Sequence, residues 1–345
     1  MTFAAVERLW IRRSRLALLL LPASLLYCAI AELRRAAYRI GLLRRHRMPV
    51  PVIVVGNVTV GGTGKTPVVA WLAQFLKDHG YRPGLVARGY GGNARCWPQQ
   101  VRGDSDPAVV GDEPVMLAGL TGCPMAAGPE RAVAATQLLE HHDCDLILSD
   151  DGLQHYALGR DIEIVVVDGV RRFDTGFCLP AGPLRERSGR LRSADIVIVN
   201  GLAGQGQFPM RVVQTGVAAL LEPEMLRPLD TFRNRRVHAV AGIGNPRRFF
   251  DGLRQARMEV LEHAFPDHHA FQPQELMFGD QLPVLMTEKD AVKCRRFATA
   301  DMWVVRTRTE LDDRVGGAIL ELLERRRPLA HQNQARRMVG EGEVK

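Results

Sequence analysis

The chain has 345 residues, which is enough for two domains with a sizeable buried core. Hydrophobic residues make up 46% and charged residues 24%, and 33 glycines and 20 prolines are near the usual share, so collagen-like, low-complexity and disordered classes are excluded. The six cysteines include no CxxC pair, which argues against a disulfide scaffold or a zinc ribbon and favours a reducing compartment.

The excess of positive charge is confined to the first 47 residues of the chain. The formal net charge is +8, yet residues 1–47 hold ten arginines and two acidic residues, whereas residues 48–345 hold equal numbers of basic and acidic residues. An enzyme that binds nucleic acid more often spreads basic residues over its binding face. We therefore predict no nucleic-acid partner.

The arginines flank an uncharged apolar run at residues 16–31. As a helix this run would be about 24 Å long, shorter than the roughly 30 Å hydrocarbon core of a bilayer, and Pro22 would kink it. We predict that residues 1–47 form a basic and apolar helical segment that associates with a membrane surface. A buried helix and an export signal are the alternatives.

A phosphate-binding loop follows the first predicted strand. Residues 50–55 form a short β-branched run typical of a buried parallel strand, and a helical pattern begins after the glycine-rich turn. A strand, a glycine-rich turn ending in Gly-Lys-Thr and a helix make up the P-loop arrangement, whose backbone N–H groups bind phosphate. The predicted nucleotide-binding residues are Thr59, Val60, Gly61, Gly62, Thr63, Gly64, Lys65 and Thr66. Thr59 departs from the usual pattern, which has glycine there.

A second apolar run, residues 145–149, ends at Asp150 and Asp151. A hydrophobic strand that ends in aspartate supplies the second Mg²⁺ contact in P-loop enzymes, beside the hydroxyl of the loop Ser or Thr. We therefore predict a Mg²⁺ site at Thr66, Asp150 and Asp151, with Asp150 the preferred metal ligand and Asp151 in a supporting or substrate role.

Further strand-like runs alternate with helical stretches, which predicts an α/β fold with a mostly parallel P-loop sheet, helices on both faces and a smaller C-terminal α/β subdomain. Ligands of such sheets bind at the carboxyl ends of the strands. We predict a P-loop domain at residues 48–211, the smaller α/β domain at 212–326, and a disordered tail at 327–345.

Transfer of phosphate to a hydroxyl requires a base near the acceptor. The candidates outside the loop are Asp112 or Glu113 in one turn, and His268 or His269 in another. A guanine-reading strand end would be Asn-Lys-x-Asp, whereas residues 287–290 read Thr-Glu-Lys-Asp with the lysine one position late. This pattern argues against a guanine nucleotide.

Eight runs resemble one known family in the same order. They are TVGGTGKTP (59–67), RGYGG (88–92), GDEP (111–114), DDGLQH (150–155), LPAGPLRE (179–186), VNG (199–201), FPDHH (265–269) and TEKDAVK (287–293). Together with the N-terminal apolar run they resemble the tetraacyldisaccharide 4'-kinases of lipid A biosynthesis, including the Thr59 departure. The resemblance covers about residues 10 to 310.

The resemblance implies an ATP- and Mg²⁺-dependent kinase that phosphorylates the 4'-hydroxyl of a tetraacylated glucosamine disaccharide 1-phosphate. It implies that Asp112 and His268 activate this hydroxyl. The P-loop arrangement adds Lys65, which would reach the phosphates, as a third catalytic residue. The resemblance also implies a location at the cytoplasmic face of the bacterial inner membrane; no protein partner is predicted. Weaker candidates for contacts with substrate or phosphate are Gln154, Tyr90, Arg131, Arg185, Glu186 and Asn200. The alternative function is a membrane-associated P-loop ATPase or GTPase switch without a lipid acceptor.

Overall fold

A computed structural model describes residues 19–326 of the chain. The α-helices are α1 (Leu21–Arg39), α2 (Lys65–Asp78), α3 (Pro107–Val110), α4 (Asp112–Thr121), α5 (Arg131–His141), α6 (Pro246–Gln255), α7 (Glu288–Cys294) and α8 (Arg314–Arg326). The strands of the first half are β1 (Val52–Gly56), β2 (Pro83–Ala87), β3 (Gln99–Val101), β4 (Met125–Ala127), β5 (Leu146–Asp150), β6 (Ile162–Asp168) and β7 (Ile196–Asn200). Those of the second half are β8 (Phe208–Ala219), β9 (Glu222–Arg227), β10 (Arg236–Ala241), β11 (Glu259–Ala264), β12 (Val284–Thr287) and β13 (Met302–Leu311).

These strands form one 13-stranded sheet in the order β11-β10-β12-β13-β8-β7-β6-β1-β5-β2-β4-β3, with β9 beside β8. Neighbours run parallel from β11 to β13 and from β8 to β4. The β8–β13, β3–β4 and β8–β9 pairs are antiparallel. The predicted mostly parallel α/β sheet is therefore confirmed.

The strand β1 is buried on both faces, as its continuous β-branched sequence predicts. Ile53 and Val55 pack in a cluster with Leu72 of α2, and Val52 and Val54 pack in another cluster with α5 on the other face. Helices therefore cover both faces of the sheet around the P-loop strand, which fixes the loop at the carboxyl end of β1.

The second half of the sheet has its own apolar clusters around β10 and β12. The long strand β8 pairs with β7 on one side and with β13 on the other, so it joins the two halves of the sheet. Its residues 208–219 include the predicted domain boundary between residues 211 and 212. The predicted division into two domains stays a prediction.

Helix α1 begins at Leu21 and carries Pro22 in its first turn, where the absent N–H of proline leaves no helical hydrogen bond unmade. Among residues 19–326, no helix combines the length and the apolar character that crossing a bilayer demands. Residues 16–18 of the predicted apolar run and the predicted tail at 327–345 lie outside the described residues.

Candidate active site

The predicted phosphate-binding loop lies between β1 and α2. Gly61 and Gly64 have φ angles of 93° and 95°, a region that favours glycine. A Cβ at position 64 would lie 2.6 Å from Met210 Cε and 2.9 Å from Asn200 Nδ2. Only glycine therefore fits this turn without displacing its neighbours.

Thr59 stands where the usual pattern has its first glycine, and the structure shows what this position contacts. It forms an isolated antiparallel bridge with Leu184, and the N–H of Val60 donates to the carbonyl of Pro183 at 2.8 Å. The φ angle of Thr59 is not positive, so its backbone does not require glycine. The segment around Pro183 thus braces the start of the loop.

Two pairs of side chains meet at the end of the loop. Lys65 Nζ lies 3.5 Å from Asp151 Oδ1, and the Thr66 hydroxyl donates to Asp150 Oδ2 at 3.5 Å. Burial and the negative charge of Glu113 raise the pKa of Asp150 to about 7. Its Oδ1 is buried without a hydrogen-bond partner among residues 19–326.

This donor set fits Mg²⁺. The ion prefers oxygen ligands and is commonly bound by one or two carboxylates together with substrate phosphates and water, so a complete protein cage is not required. The hydroxyl of Thr66 and the free oxygen of Asp150 supply suitable ligands next to the loop. Within residues 19–326 no cluster of three or more His, Cys, Asp or Glu side chains forms such a cage.

Asp151 is held by cations. Arg185 donates to both of its carboxylate oxygens at 3.1 and 3.0 Å. Burial alone would raise the pKa of Asp151, but the charges of Lys65 and Arg185 outweigh burial and lower this pKa to about 2. Asp151 has a φ of 47°, an uncommon conformation for a residue other than glycine. Asp151 is therefore a charged carboxylate held next to Lys65.

Glu186 faces the interior of the same region. It is buried, and its carboxylate accepts hydrogen bonds from Gln154 Nε2 at 3.0 Å and from the Tyr156 hydroxyl at 2.5 Å. Gln154 also donates to the carbonyl of Asn57 at 3.0 Å. Gln154 and Glu186 thus connect the turn after β5 to the backbone just before the loop.

Asn200 and Arg131 also contact backbone. Asn200 Nδ2 donates to the carbonyl of Thr63 at 3.3 Å, and this hydrogen bond ties the loop to the end of β7. Arg131 is buried at the start of α5 and donates to the carbonyl of Pro129 at 3.1 Å. Burial lowers the pKa of Arg131 to about 10, although the charge of Asp151 opposes the effect.

The structure brings Asp112 and His268 together from 156 residues apart. His268 Nδ1 lies 3.0 Å from Asp112 Oδ1 and 3.1 Å from Oδ2. Burial alone would raise the pKa of Asp112, but the hydrogen bond from His268 and the charge of Lys289 lower it. Burial acts to lower the pKa of His268, yet its hydrogen bond to Asp112 raises it above 6.5. The ring of Tyr90 is exposed, and its centroid lies 4.8 Å from the centroid of the imidazole of His268.

The two histidines of this turn have different partners. His269 Nε2 lies 3.0 Å from both carboxylate oxygens of Glu275 and does not share the contact with Asp112. His268 has a φ of 62°, an uncommon conformation for a residue other than glycine. The geometry therefore selects His268 as the partner of Asp112.

Glycines bring the Asp–His pair close to the phosphate-binding loop. A Cβ at Gly244 would lie 2.9 Å from the backbone nitrogen of Gly62 and 3.7 Å from Asp267 Oδ2, beside His268. A Cβ at Gly111 would lie 2.6 Å from the carbonyl of Tyr90. The loop, the turn before α4 and the His268 turn thus meet at one edge of the sheet.

The residues 287–290 have a structural function. Asp290 is fully buried and accepts hydrogen bonds from the Thr287 hydroxyl at 2.6 Å and from the N–H of Gly242 at 2.9 Å. It joins the start of α7 to the end of β10. Lys289, to which the sequence assigns no role, lies against the Asp–His pair.

The fold, and the loop and turns that meet at the carboxyl ends of its strands, define a P-loop nucleotide-binding protein of the phosphotransferase type. A carboxylate–imidazole pair lies beside the loop. Residues 16–324 match the family described as Tetraacyldisaccharide-1-P 4'-kinase (LpxK). The chain belongs to this family, and the predicted resemblance is confirmed.

Relatives share most of the chain. A tetraacyldisaccharide 4'-kinase of Nitrosococcus oceani is 54% identical over 319 residues, which cover 92% of this chain and 94% of the relative. One of Azoarcus sp. is 49% identical over 329 residues, or 93% of this chain and 96% of the relative. The crystal structure of LpxK from Aquifex aeolicus in complex with ATP is similar with a TM-score of 0.76 and 29% identity, covering 89% of this chain and 99% of that one.

Proposed function

We propose that this chain transfers the γ-phosphoryl group of ATP to the 4'-hydroxyl of a tetraacylated glucosamine disaccharide 1-phosphate at the cytoplasmic face of a bacterial inner membrane. The observation that carries the proposal is the contact of 3.0 Å between His268 Nδ1 and Asp112 Oδ1, next to a P-loop. In protein kinases an aspartate beside the phosphates likewise accepts the proton of the acceptor hydroxyl, so the pair favours a kinase over a nucleotide switch.

The phosphates of ATP would lie on the N–H groups of residues 59–66 and the N-terminus of α2, with Lys65 supplying positive charge. Thr66 and Asp150 would hold Mg²⁺, which supplies neutralising charge on the phosphates when bound. Asp151 and Arg185 would keep Lys65 aimed at the phosphates. Gln154, Glu186 and Asn200 would act by holding the backbone of the loop in place.

Asp112 would take the proton of the acceptor hydroxyl. As the hydroxyl oxygen bonds to the γ-phosphorus, the bond to the bridging oxygen of ADP breaks and the proton passes to the carboxylate. His268 donates to the same carboxylate and fixes its orientation. A weakly basic carboxylate suffices, because phosphoryl transfer has a loose transition state in which positioning matters most.

The acceptor site would form where the predicted segments 48–211 and 212–326 meet, because Asp112 comes from the first and His268 from the second. Tyr90, whose exposed ring lies against His268, is suited to contact the sugar. Arg131 is buried near Asp151, so we assign it to the phosphate region and not to the lipid surface.

Helix α1 supports a peripheral membrane location. Its buried residues Ser24 and Cys28 face the protein, and the Ser24 hydroxyl donates to the carbonyl of Cys178 at 2.7 Å. Large apolar side chains are exposed on the rest of the helix, namely Leu25, Leu26, Ile30 and Leu33. Basic residues continue the helix to Arg39, so apolar and cationic groups would face acyl chains and anionic lipid headgroups.

The proposed activity is tested by incubating the protein with γ-labelled ATP, Mg²⁺ and the disaccharide lipid in mixed micelles. The proposal expects a labelled lipid whose new phosphate is on the 4'-oxygen. Hydrolysis of ATP at a rate that the lipid does not change, with no labelled lipid, would support the nucleotide switch instead.

A further inference from the structure

Lys289 lies at the start of α7 and is buried against the Asp–His pair. Its Nζ donates to Glu113 Oε1 at 2.9 Å and to Asp267 Oδ1 at 2.8 Å, and it lies 3.3 Å from His268 Nε2. The ammonium therefore joins α4, which carries Glu113, to the turn that carries Asp267 and His268.

The hydrogen-bond roles of His268 follow from those of Lys289. A lysine ammonium has three donors and no acceptor. Burial acts to lower the pKa of Lys289, but the negative charges of Glu113, Asp112 and Asp267 outweigh burial and raise it, so the side chain is charged at neutral pH. His268 Nε2 must then accept from Lys289. A neutral imidazole carries one N–H, which is left on Nδ1 and points at Asp112.

A competing group faces the same nitrogen. Asp267 Oδ2 lies 3.9 Å from His268 Nε2 and favours a proton there, which would give the other tautomer or an imidazolium ion. Lys289 opposes this effect twice, since it neutralises Asp267 and occupies the lone pair of Nε2. Within residues 19–326, the other groups at the pair are Lys293, whose Nζ lies 3.8 Å from Asp112 Oδ2, and the ring of Tyr90.

We propose that Lys289 is a positioning residue, which holds His268 as the neutral Nδ1–H tautomer and fixes the His268 turn against α4. The proposal rests on the proposed function, in which the Nδ1–H of His268 donates to Asp112 and orients its carboxylate. Lys289 itself does not touch the reacting atoms. Its loss would leave Glu113 and Asp267 without their shared cation and would free Nε2 to be protonated.

The tautomer is measured directly on the wild-type protein by nitrogen NMR of histidine-labelled enzyme, above the pH at which His268 loses its charge. His268→Gln identifies the signals. The proposal expects a protonated Nδ1 and an unprotonated Nε2 for His268. The Nε2–H tautomer in the wild-type protein overturns it, whatever the variants do. Since this experiment needs no turnover, it gives a result even if the proposed function is wrong.

Kinetics of Lys289→Met give the second test, with Glu288→Gln as the matched control. Glu288 precedes Lys289 and is ion-paired to Arg306 at 3.4 Å, away from the Asp–His pair. We expect Lys289→Met to lower kcat by about 10²-fold, the loss typical of a slightly misplaced catalytic group. The loss of activity at low pH (the acid limb of the pH profile), which we assign to protonation of His268, moves to higher pH in this variant. The reason is that the charge of Lys289 lowers the pKa of His268 in the wild-type protein.

The variant Lys289→Arg, which keeps the charge, should return the acid limb toward the wild-type position, and Glu288→Gln should leave it unmoved. A Lys289→Met profile that coincides with the wild-type profile overturns the positioning role. Failure of the wild-type protein to form labelled lipid would instead refute the proposed function, so the two failures can be told apart.

Discussion

Replacing Asp112 by Asn tests the role of the carboxylate with little change in shape. Asn keeps one acceptor oxygen, so the hydrogen bond from the N–H of Glu113, 2.8 Å long in the wild-type protein, can persist. The variant loses the charge and the second acceptor that receive the proton in our proposal. We expect kcat to fall by about 10²- to 10⁴-fold, or about 2.7 to 5.5 kcal/mol in the barrier.

The pH profile of the same variant has a definite sign. In the wild-type protein the hydrogen bond to Asp112 outweighs burial and raises the pKa of His268 above 6.5. The imidazolium that forms below this pKa makes Asp112 a poorer proton acceptor, so we expect activity to fall as the pH falls through it. Without the carboxylate this pKa falls, and the acid limb of the residual activity should move to lower pH. The KM for ATP should change little, since Asp112 makes no described contact with residues 59–66.

The assay measures initial rates of labelled lipid formation from low to high pH, at saturating ATP and lipid. His268→Gln is the companion variant, and it should lack the acid limb assigned to the imidazole. Wild-type turnover in Asp112→Asn, or an acid limb that persists unchanged in His268→Gln, would refute the assignment.

Three further variants test the loop, the metal site and the helix. Asp150→Asn should raise the Mg²⁺ concentration for half-maximal rate by about tenfold or more, measured by metal titration; an unchanged titration would contradict its role as a ligand. Gly64→Ala should destabilise the fold by about 1 to 2 kcal/mol in urea unfolding, because position 64 has a φ of 95° and the new Cβ meets Met210; unaltered stability would contradict the steric argument. Leu26→Glu should weaken binding to anionic vesicles by about tenfold. The control Leu221→Glu changes an exposed leucine on the turn between β8 and β9 and should bind as the wild type does. Equal binding by both variants would contradict the proposed contact of α1 with the membrane.

The buried centre of the sheet was predictable because of its local sequence. Strands β1, β5 and β6 are continuous apolar runs with β-branched residues, the pattern of parallel strands covered on both faces. Strands β9 and β11 carry no such local signal. The residues of β9 are mostly exposed, and β11 lies at the edge of the sheet with charged residues in its sequence, so neither has a strong apolar pattern.

The phosphate-binding residues were predictable because their spacing along the chain is fixed by one turn. The Asp112–His268 contact was different, since its partners are 156 residues apart and composition alone left each turn with two candidates. The family pattern suggested the pair, and the structure brings the two side chains together. Lys289 was given no role because residues 287–290 were compared only with a guanine-reading strand end. Its three partners, Glu113, Asp267 and His268, meet only in the folded chain.

The most direct test of the account is the ratio of phosphate transferred to lipid to ADP formed, measured in one reaction. The account predicts a ratio near one for the wild-type protein, and a parallel loss of both products in Lys65→Ala, because Lys65 ends the phosphate-binding loop and lies 3.5 Å from Asp151. ADP formation without labelled lipid, or undiminished lipid labelling in Lys65→Ala, would contradict it.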